Sequence, residues 1–149
     1  MRKRRLPVYL LLICWLAVYL LSCTSTGASA TPKDLYFQAE RCYKTLRHQP
    51  EKMKYRSYWL NCIQKFEEAY RQDPTGSWAP AALFMAGVLY EELYGHSYAL
   101  TDREKARIIF QRIIGDYPKS AYKERSARAL QEIGPKPVKN AISTASVAK

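Results

Sequence analysis

The sequence predicts an all-α protein of about five antiparallel helices. Two segments 44 residues apart share one template of apolar positions followed by a proline, which is typical of a repeated helical unit. Glycine is scarce, with six in 149 residues, and no run alternates β-branched and polar residues, so strands are not expected. We therefore expect two helical hairpins and a final capping helix, preceded by a signal segment.

The repeated template has an aromatic residue at its centre and a proline at its end. Its members are Cys62, Phe66, Ala69 and Pro74 in the first segment and Ala106, Phe110, Ile113 and Pro118 in the second. Residues at i, i+4 and i+7 lie on one face of a helix. Proline marks where each helix must stop. Each segment is therefore interpreted as the second helix of a hairpin.

Residues 1–22 are predicted to be a signal peptide. Four basic residues at positions 2–5 precede an uncharged apolar run from Leu6 to Leu21, which fits a secretory signal. The run is short for a membrane span of roughly 20 residues, although an uncleaved inner-membrane anchor is the alternative. A second site of the small-x-small type ends at Ala30 and would place cleavage there instead.

Residues 20–23 (LLSC) resemble the lipobox of bacterial lipoproteins. The resemblance implies that Cys23 is lipidated and becomes the mature N-terminus. Residues 23–32 would then be the lipidated N-terminus and a flexible tether. The expected location is the bacterial cell envelope, with a lipid anchor in the outer membrane and the domain facing the periplasm. Thr24, in place of an aspartate that favours the inner membrane in enteric lipoproteins, fits the outer membrane.

The folded domain is expected to span residues 33–133. The expected helices are Lys33–Arg47, Lys54–Gln72, Ala79–Tyr94, a fourth that follows a capping box at Thr101–Glu104 and ends before Gly115, and Ala121–Ile133. Thr31 or Asp34 is expected to cap the first helix, and Gly95 to cap the third at its C-terminus. Gly87, inside the third helix, indicates that another helix approaches closely. Residues 134–149 are interpreted as a disordered basic tail.

This pattern resembles tetratricopeptide repeats, over roughly residues 33–133. In that family a hairpin's first helix carries a large residue, a small pair and a tyrosine, and its second carries a small residue, an aromatic and a small residue before proline. The positions that match on first helices are Tyr36, Ala39 and Tyr43 in one hairpin and Leu83, Ala86, Gly87 and Tyr90 in the other. The spacing of 44 residues is longer than the usual period of about 34.

The junction at residues 117–121 (YPKSA) is similar to one found in envelope lipoproteins that assist outer-membrane assembly (BamD-like) and in periplasmic TolA-binding proteins. It also looks like the helical region of some cell-wall amidases. The resemblance implies a non-enzymatic scaffold that binds a protein or peptide partner. The alternative is an accessory or truncated amidase relative that engages peptidoglycan or its enzymes.

No catalytic or metal-binding pattern is expected. His48 and His96 fall in expected loops without ligands at metal spacing, and we interpret them as exposed polar residues. The carboxylate pairs at 67–68 and 91–92 point in different directions on a helix, so solvated faces are expected. We expect no cofactor, no metal, no small-molecule substrate and, because of the export signal, no nucleic acid despite a formal net charge of +11.

Cys42 and Cys62 lie on the two helices of the first hairpin. After export they would be in an oxidising compartment, which favours a disulfide. Two buried thiols are the alternative.

Aromatic residues divide into core and candidate binding positions. Tyr43, Phe66 and Tyr90 are expected in the core. Others lie at helix ends or linkers and are candidates for lining a binding groove, because Tyr and Trp are favoured at interfaces. They are Tyr55, Tyr58, Trp59, Trp78, Tyr94 and Tyr98.

Overall fold

The computed structural model describes residues 30–134, and this part of the chain is all-helical. Six helices lie within it: α1 (Pro32–Arg47), α2 (Pro50–Met53), α3 (Arg56–Gln72), α4 (Ala79–Ser97), α5 (Leu100–Asp116) and α6 (Tyr122–Ile133). The prediction of an all-α fold is confirmed. The signal peptide, Cys23, nearly all of the tether and the tail beyond Gly134 lie outside the described residues.

The helices pack in chain order, each against the next long one. Helix α1 packs on α3, α3 on α4, α4 on α5 and α5 on α6, with a further contact between α4 and α6. The short connections make consecutive helices antiparallel, so α1–α3 and α4–α5 are two hairpins and α6 follows them. Helix α4 is central and buried on nearly all sides, as expected of a helix that is apolar all round.

Helix α2 is one short turn in the first hairpin that was not expected as a separate helix. The turn begins at Pro50 and ends at Met53. The helical conformation is then interrupted, and α3 begins at Arg56 rather than at Lys54. The indole of Trp59 donates a hydrogen bond to the Met53 carbonyl at 2.8 Å and holds this turn against α3. Trp59 itself is fully buried, so it belongs to the core and not to a groove.

The repeated template supplies the inward faces of α3 and α5. Phe66 and Phe110 are both 0% exposed, and the small and apolar template residues beside them are buried as well. Pro74 and Pro118 lie just beyond the ends of these helices. The two junctions meet in space, because the Tyr117 hydroxyl donates a hydrogen bond to the Pro74 carbonyl at 2.5 Å.

The first helices of the hairpins supply the other half of the core. Six of the seven positions that match the tetratricopeptide pattern are buried, namely Ala39, Tyr43, Leu83, Ala86, Gly87 and Tyr90, while Tyr36 is partly buried. The close approach expected at Gly87 is present. A Cβ atom there would lie 2.7 Å from the Phe110 Cε1 atom, so α4 and α5 meet at the glycine.

The connection between α4 and α5 differs from expectation on both of its sides, and α5 also continues past Gly115 to Asp116. Gly95 does not cap α4, which continues to Ser97 and ends at Tyr98 in the left-handed region (φ 55°). The capping box at Thr101–Glu104 is also wrong, because the N-cap is Ala99, two residues before Thr101, and α5 begins at Leu100 without a side-chain cap. Both differences arise from Asp102, which accepts a hydrogen bond from the Ser97 hydroxyl (3.2 Å) and is turned into the protein.

Asp102 forms an ion pair that ties the starts of α3 and α5 together. Its carboxylate is fully buried and accepts from Arg56 Nη2 at 2.5 Å and from Nε at 3.2 Å. A buried carboxylate must be paired, since its desolvation is otherwise costly.

At the start of α1 both expected capping residues contribute, because the Thr31 hydroxyl accepts from the Asp34 amide and the Asp34 carboxylate accepts from the Thr31 amide.

Candidate partner-binding surface

One face of the protein is shared by the first helix of each hairpin and the last helix. We call it the A-helix face. It is formed by Tyr36, Phe37 and Glu40 of α1, Trp78, Phe84, Met85, Val88, Glu91 and Glu92 at the start of and along α4, and Tyr122, Arg125 and Glu132 of α6. The α4 positions fall on one helical stripe, in which Phe84 is buried while Met85, Val88, Glu91 and Glu92 are partly exposed.

Two aromatic clusters lie where α1, α4 and α6 begin. In the first, the Trp78 ring packs against Tyr36 at 5.1 Å and Phe37 at 5.4 Å between centroids. In the second, the Phe84 and Tyr122 rings are 5.2 Å apart, and the Arg125 guanidinium lies 4.4 Å from the Phe84 centroid. These contacts join α1 to α4 and α4 to α6, so they place aromatic surface along both sides of α4.

The two clusters are close enough to interact electrostatically. Burial raises the pKa of Tyr36, and the charge of Tyr122 raises it further while Arg125 opposes the rise. Residues of α1 and α6 therefore lie close enough for their charges to influence one another. Phe37 is 37% exposed and Arg125 is exposed as well, so this end of the face presents aromatic surface and a cation to solvent.

The middle of the face is apolar. Met85 and Val88 pack against the core but are partly exposed, while most other α4 residues between Ala79 and Tyr90 are buried. A partly exposed apolar strip with aromatic residues at one end has the composition of the buried centre of a protein interface.

Glutamates occupy the other end of the face. Glu92 accepts a hydrogen bond from the Tyr43 hydroxyl at 2.6 Å, and burial together with this bond raises the Tyr43 pKa. Burial raises the pKa of Glu91, and the charges of Glu132 and Glu92 raise it further. Within residues 30–134 none of these three glutamates forms an ion pair with Lys or Arg. A cation brought by a partner would relieve this concentration of negative charge.

The glutamate pairs are less exposed to solvent than the sequence suggested. Glu67 accepts a hydrogen bond from the Tyr90 hydroxyl at 3.3 Å, and Glu67, Glu91 and Glu92 are partly buried rather than fully solvated.

His48 is exposed at the end of α1, as expected. His96 is exposed but lies within α4 and stacks on Trp59 at 5.2 Å, so the expectation of a loop position was wrong. Among the described residues, no group of three His, Cys, Asp or Glu could hold a metal ion.

Of the aromatic residues proposed for a groove, only Trp78 lies on the A-helix face. Tyr55, Tyr58 and Tyr98 are exposed near the connections inside the hairpins, and Tyr94 lies beneath the Arg103 guanidinium. Phe37, Met85, Val88 and Arg125 were missed. The sequence pattern gives little indication of them, because each residue is next to the buried stripe of its helix. Only the packing of the helices brings these residues together.

Cys42 and Cys62 lie away from this face, on the other side of α1. Their sulfur atoms are 2.07 Å apart and the bond links α1 to α3 with a Cα–Cα distance of 5.5 Å. The structure thus contains the disulfide rather than two thiols, and it closes a loop across the first hairpin.

Comparison with known proteins gives no relative that would identify the chain. No protein-family model matches it, and no curated protein or solved structure is significantly similar. Across residues 30–134, none of the helices has the length and apolar character needed to cross a bilayer.

Proposed function

We propose that this protein is a non-enzymatic, lipid-anchored scaffold of the bacterial cell envelope whose A-helix face binds a protein or peptide partner. The observation that carries the proposal is that Met85 and Val88 are partly exposed on α4, while Trp78 at the start of the same helix packs against the exposed Phe37. Stacked helical hairpins present extended surfaces of this kind for partners. The anchor at Cys23 and the outer-membrane location rest on the residues of the leader.

The chemistry of the face favours a partner segment with apolar side chains followed by basic ones. Apolar side chains would cover Met85 and Val88, and a Lys or Arg would pair with Glu91, Glu92 and Glu132. Phenylalanine and arginine, the residue types of Phe37 and Arg125, are enriched at protein interfaces. The resemblance to tetratricopeptide repeats supports the same use of the face.

Binding can be tested by pull-down from envelope extract with the full chain and two variants. Met85→Asp places a charge in the middle of the face and should abolish capture of the specific partner. Ile108→Asp is the matched control, because Ile108 is 48% exposed on α5 and lies off the A-helix face. Equal capture by both variants would contradict the proposal, and capture of peptidoglycan sacculi instead of a protein would favour the amidase-related alternative.

Lipidation is tested separately. The full chain should incorporate a palmitate analogue and lose it when Cys23 is replaced by Ala. A Cys23→Ala variant that remains membrane-bound would instead favour an uncleaved anchor in the inner membrane.

A further inference from the structure

A second concave surface lies between α1 and α3, and the proposed partner-binding function does not use it. This groove has a volume of about 520 Å³, within the range of small-molecule sites. Leu46 and the Cys42–Cys62 disulfide form part of its apolar lining. Because the disulfide links the two helices, the walls of the groove are held at a fixed separation.

The groove is cationic. Arg41, Lys52 and Lys65 line it, and no acidic residue does. None of these three cations pairs with a carboxylate among residues 30–134, whereas Lys44, Lys54, Arg56, Arg71 and Arg107 all do. Lys52 lies over the Tyr58 ring at 5.4 Å, which orients it without neutralising it. Three cationic side chains therefore line one concavity that has no acidic lining residue, and none of them has an ion-pair partner among residues 30–134.

An adjoining cavity shows that this lack of acid is local. It continues along α1 and α3 and contains Glu67 and Glu68. Glu68 pairs with Arg71 at 2.6 Å and Glu67 accepts from Tyr90, so both carboxylates already have partners in the fold. Lys65 lines both cavities, so the two glutamates lie beside the cationic groove and not among its lining residues.

Three amide side chains, Gln38, Gln49 and Asn61, line the same groove and can donate hydrogen bonds. An arginine offers a planar fork of donors and a lysine a compact charge, and both are used to hold phosphate. A phosphate ester has up to two negative charges and three acceptor oxygens. It can therefore engage three cations and several amides more fully than a ligand with a single carboxylate.

The geometry points to a binding site for a phosphate-bearing ligand in the groove between α1 and α3. The volume of the groove exceeds that of a phosphate ion. The ligand therefore carries an additional group that covers Leu46 and the disulfide. Two sources share this chemistry: a soluble phosphate ester and the headgroup of an anionic phospholipid.

The soluble source is tested by titrating the full-length chain in dodecyl maltoside micelles with pyrophosphate in a calorimeter. The variant Arg41→Gln/Lys65→Gln should bind roughly tenfold more weakly, since it loses two charge-assisted contacts. The control Arg112→Gln/Lys119→Gln removes the same charge from exposed positions outside the groove and should change affinity less than about twofold. All four positions have exposed or partly exposed side chains, and unchanged circular dichroism will show that each variant folds.

The lipid source is tested by native mass spectrometry of the same proteins from micelles doped with equal phosphatidylglycerol and phosphatidylcholine. A preference for phosphatidylglycerol that falls in the groove variant but not in the control supports a lipid headgroup. Loss of pyrophosphate binding alone supports a soluble ester. If neither probe binds, or if the control loses as much as the groove variant, the site does not exist.

Discussion

Replacing Gly87 by Ala should destabilise the protein, although alanine is the better helix former. The added Cβ atom would lie 2.7 Å from Phe110 Cε1, 3.0 Å from Phe110 Cζ and 3.2 Å from Ile109 Cγ2. Phe110 is fully buried and cannot swing away, so the helices must shift. Overpacking of this kind costs about 2 kcal/mol, whereas the helix gains up to about 1 kcal/mol from the substitution. We expect a net loss of roughly 1 kcal/mol.

Gly95 in the same helix is the matched control. A Cβ atom there would meet nothing within 4 Å, and the residue has no left-handed conformation. Gly95→Ala should therefore stabilise the protein by roughly 0.5 to 1 kcal/mol. Had Gly95 capped the helix in the left-handed region, as its sequence position suggested, the same substitution would be destabilising.

Thermal unfolding followed by circular dichroism measures both changes. A difference of 1 kcal/mol corresponds to about 4–8 °C in Tm for a domain of this size. Tm should fall for Gly87→Ala and rise for Gly95→Ala. A Gly87→Ala protein at least as stable as the parent would refute the close approach of α4 and α5.

Three further predictions concern the first hairpin, the ion pair and the glutamate cluster. Reducing the Cys42–Cys62 bond, which closes a loop of 20 residues, should lower the free energy of unfolding by about 3 kcal/mol in urea titrations, and finding both thiols free in unreduced protein would contradict this. Arg56→Ala should cost about 2 kcal/mol, because the carboxylate of Asp102 stays buried without a counter-charge; a loss no greater than that of an exposed ion pair would argue against the pairing. The pKa of Glu91 is raised above its ordinary value of 4.5, so the folded state holds this proton more tightly, and the stability that results is present below pH 4.5 and lost as the pH rises through the folded-state pKa. Glu91→Gln should therefore raise Tm near pH 7 but not near pH 4, and an equal rise at both would contradict the assignment.

The sequence was sufficient to predict the helices because their signals are local. The apolar spacing around Phe66 and Phe110, the prolines that follow and the cap at Thr31 are all decided within one or two turns. The distance of 44 residues between matched positions then identified the pairing of helices. The burial of both phenylalanines follows from this repetition.

The errors at Gly95 and Thr101 have one long-range cause. The partner of Asp102 is Arg56, 46 residues earlier, and no window around the α4–α5 connection contains it. Once Asp102 is drawn inward, Ser97 is needed to complete its hydrogen bonds and α4 extends past Gly95. Tertiary contacts thus overrode the local capping preferences.

The A-helix face was only partly visible in the sequence for a related reason. Its residues are distributed over three helices and ninety-odd positions, from Tyr36 to Glu132. Each residue alone resembles an ordinary surface position, since single exposed apolar side chains are common. What distinguishes them is that Trp78 contacts Phe37 and that Glu91 lies near Glu132, and both facts arise from packing.

We propose that the A-helix face is the surface on which a partner binds. Site-specific photocross-linking in living cells tests it most directly, with a benzophenone-bearing phenylalanine analogue at Phe37 and, as control, at Ile108. Both side chains are exposed, but only Phe37 lies on the face. We predict a discrete cross-linked product from Phe37 that disappears with Glu91→Lys/Glu92→Lys, and none from Ile108. A product of the same mass and yield from both positions, or none from Phe37, would show that the A-helix face is not the binding surface.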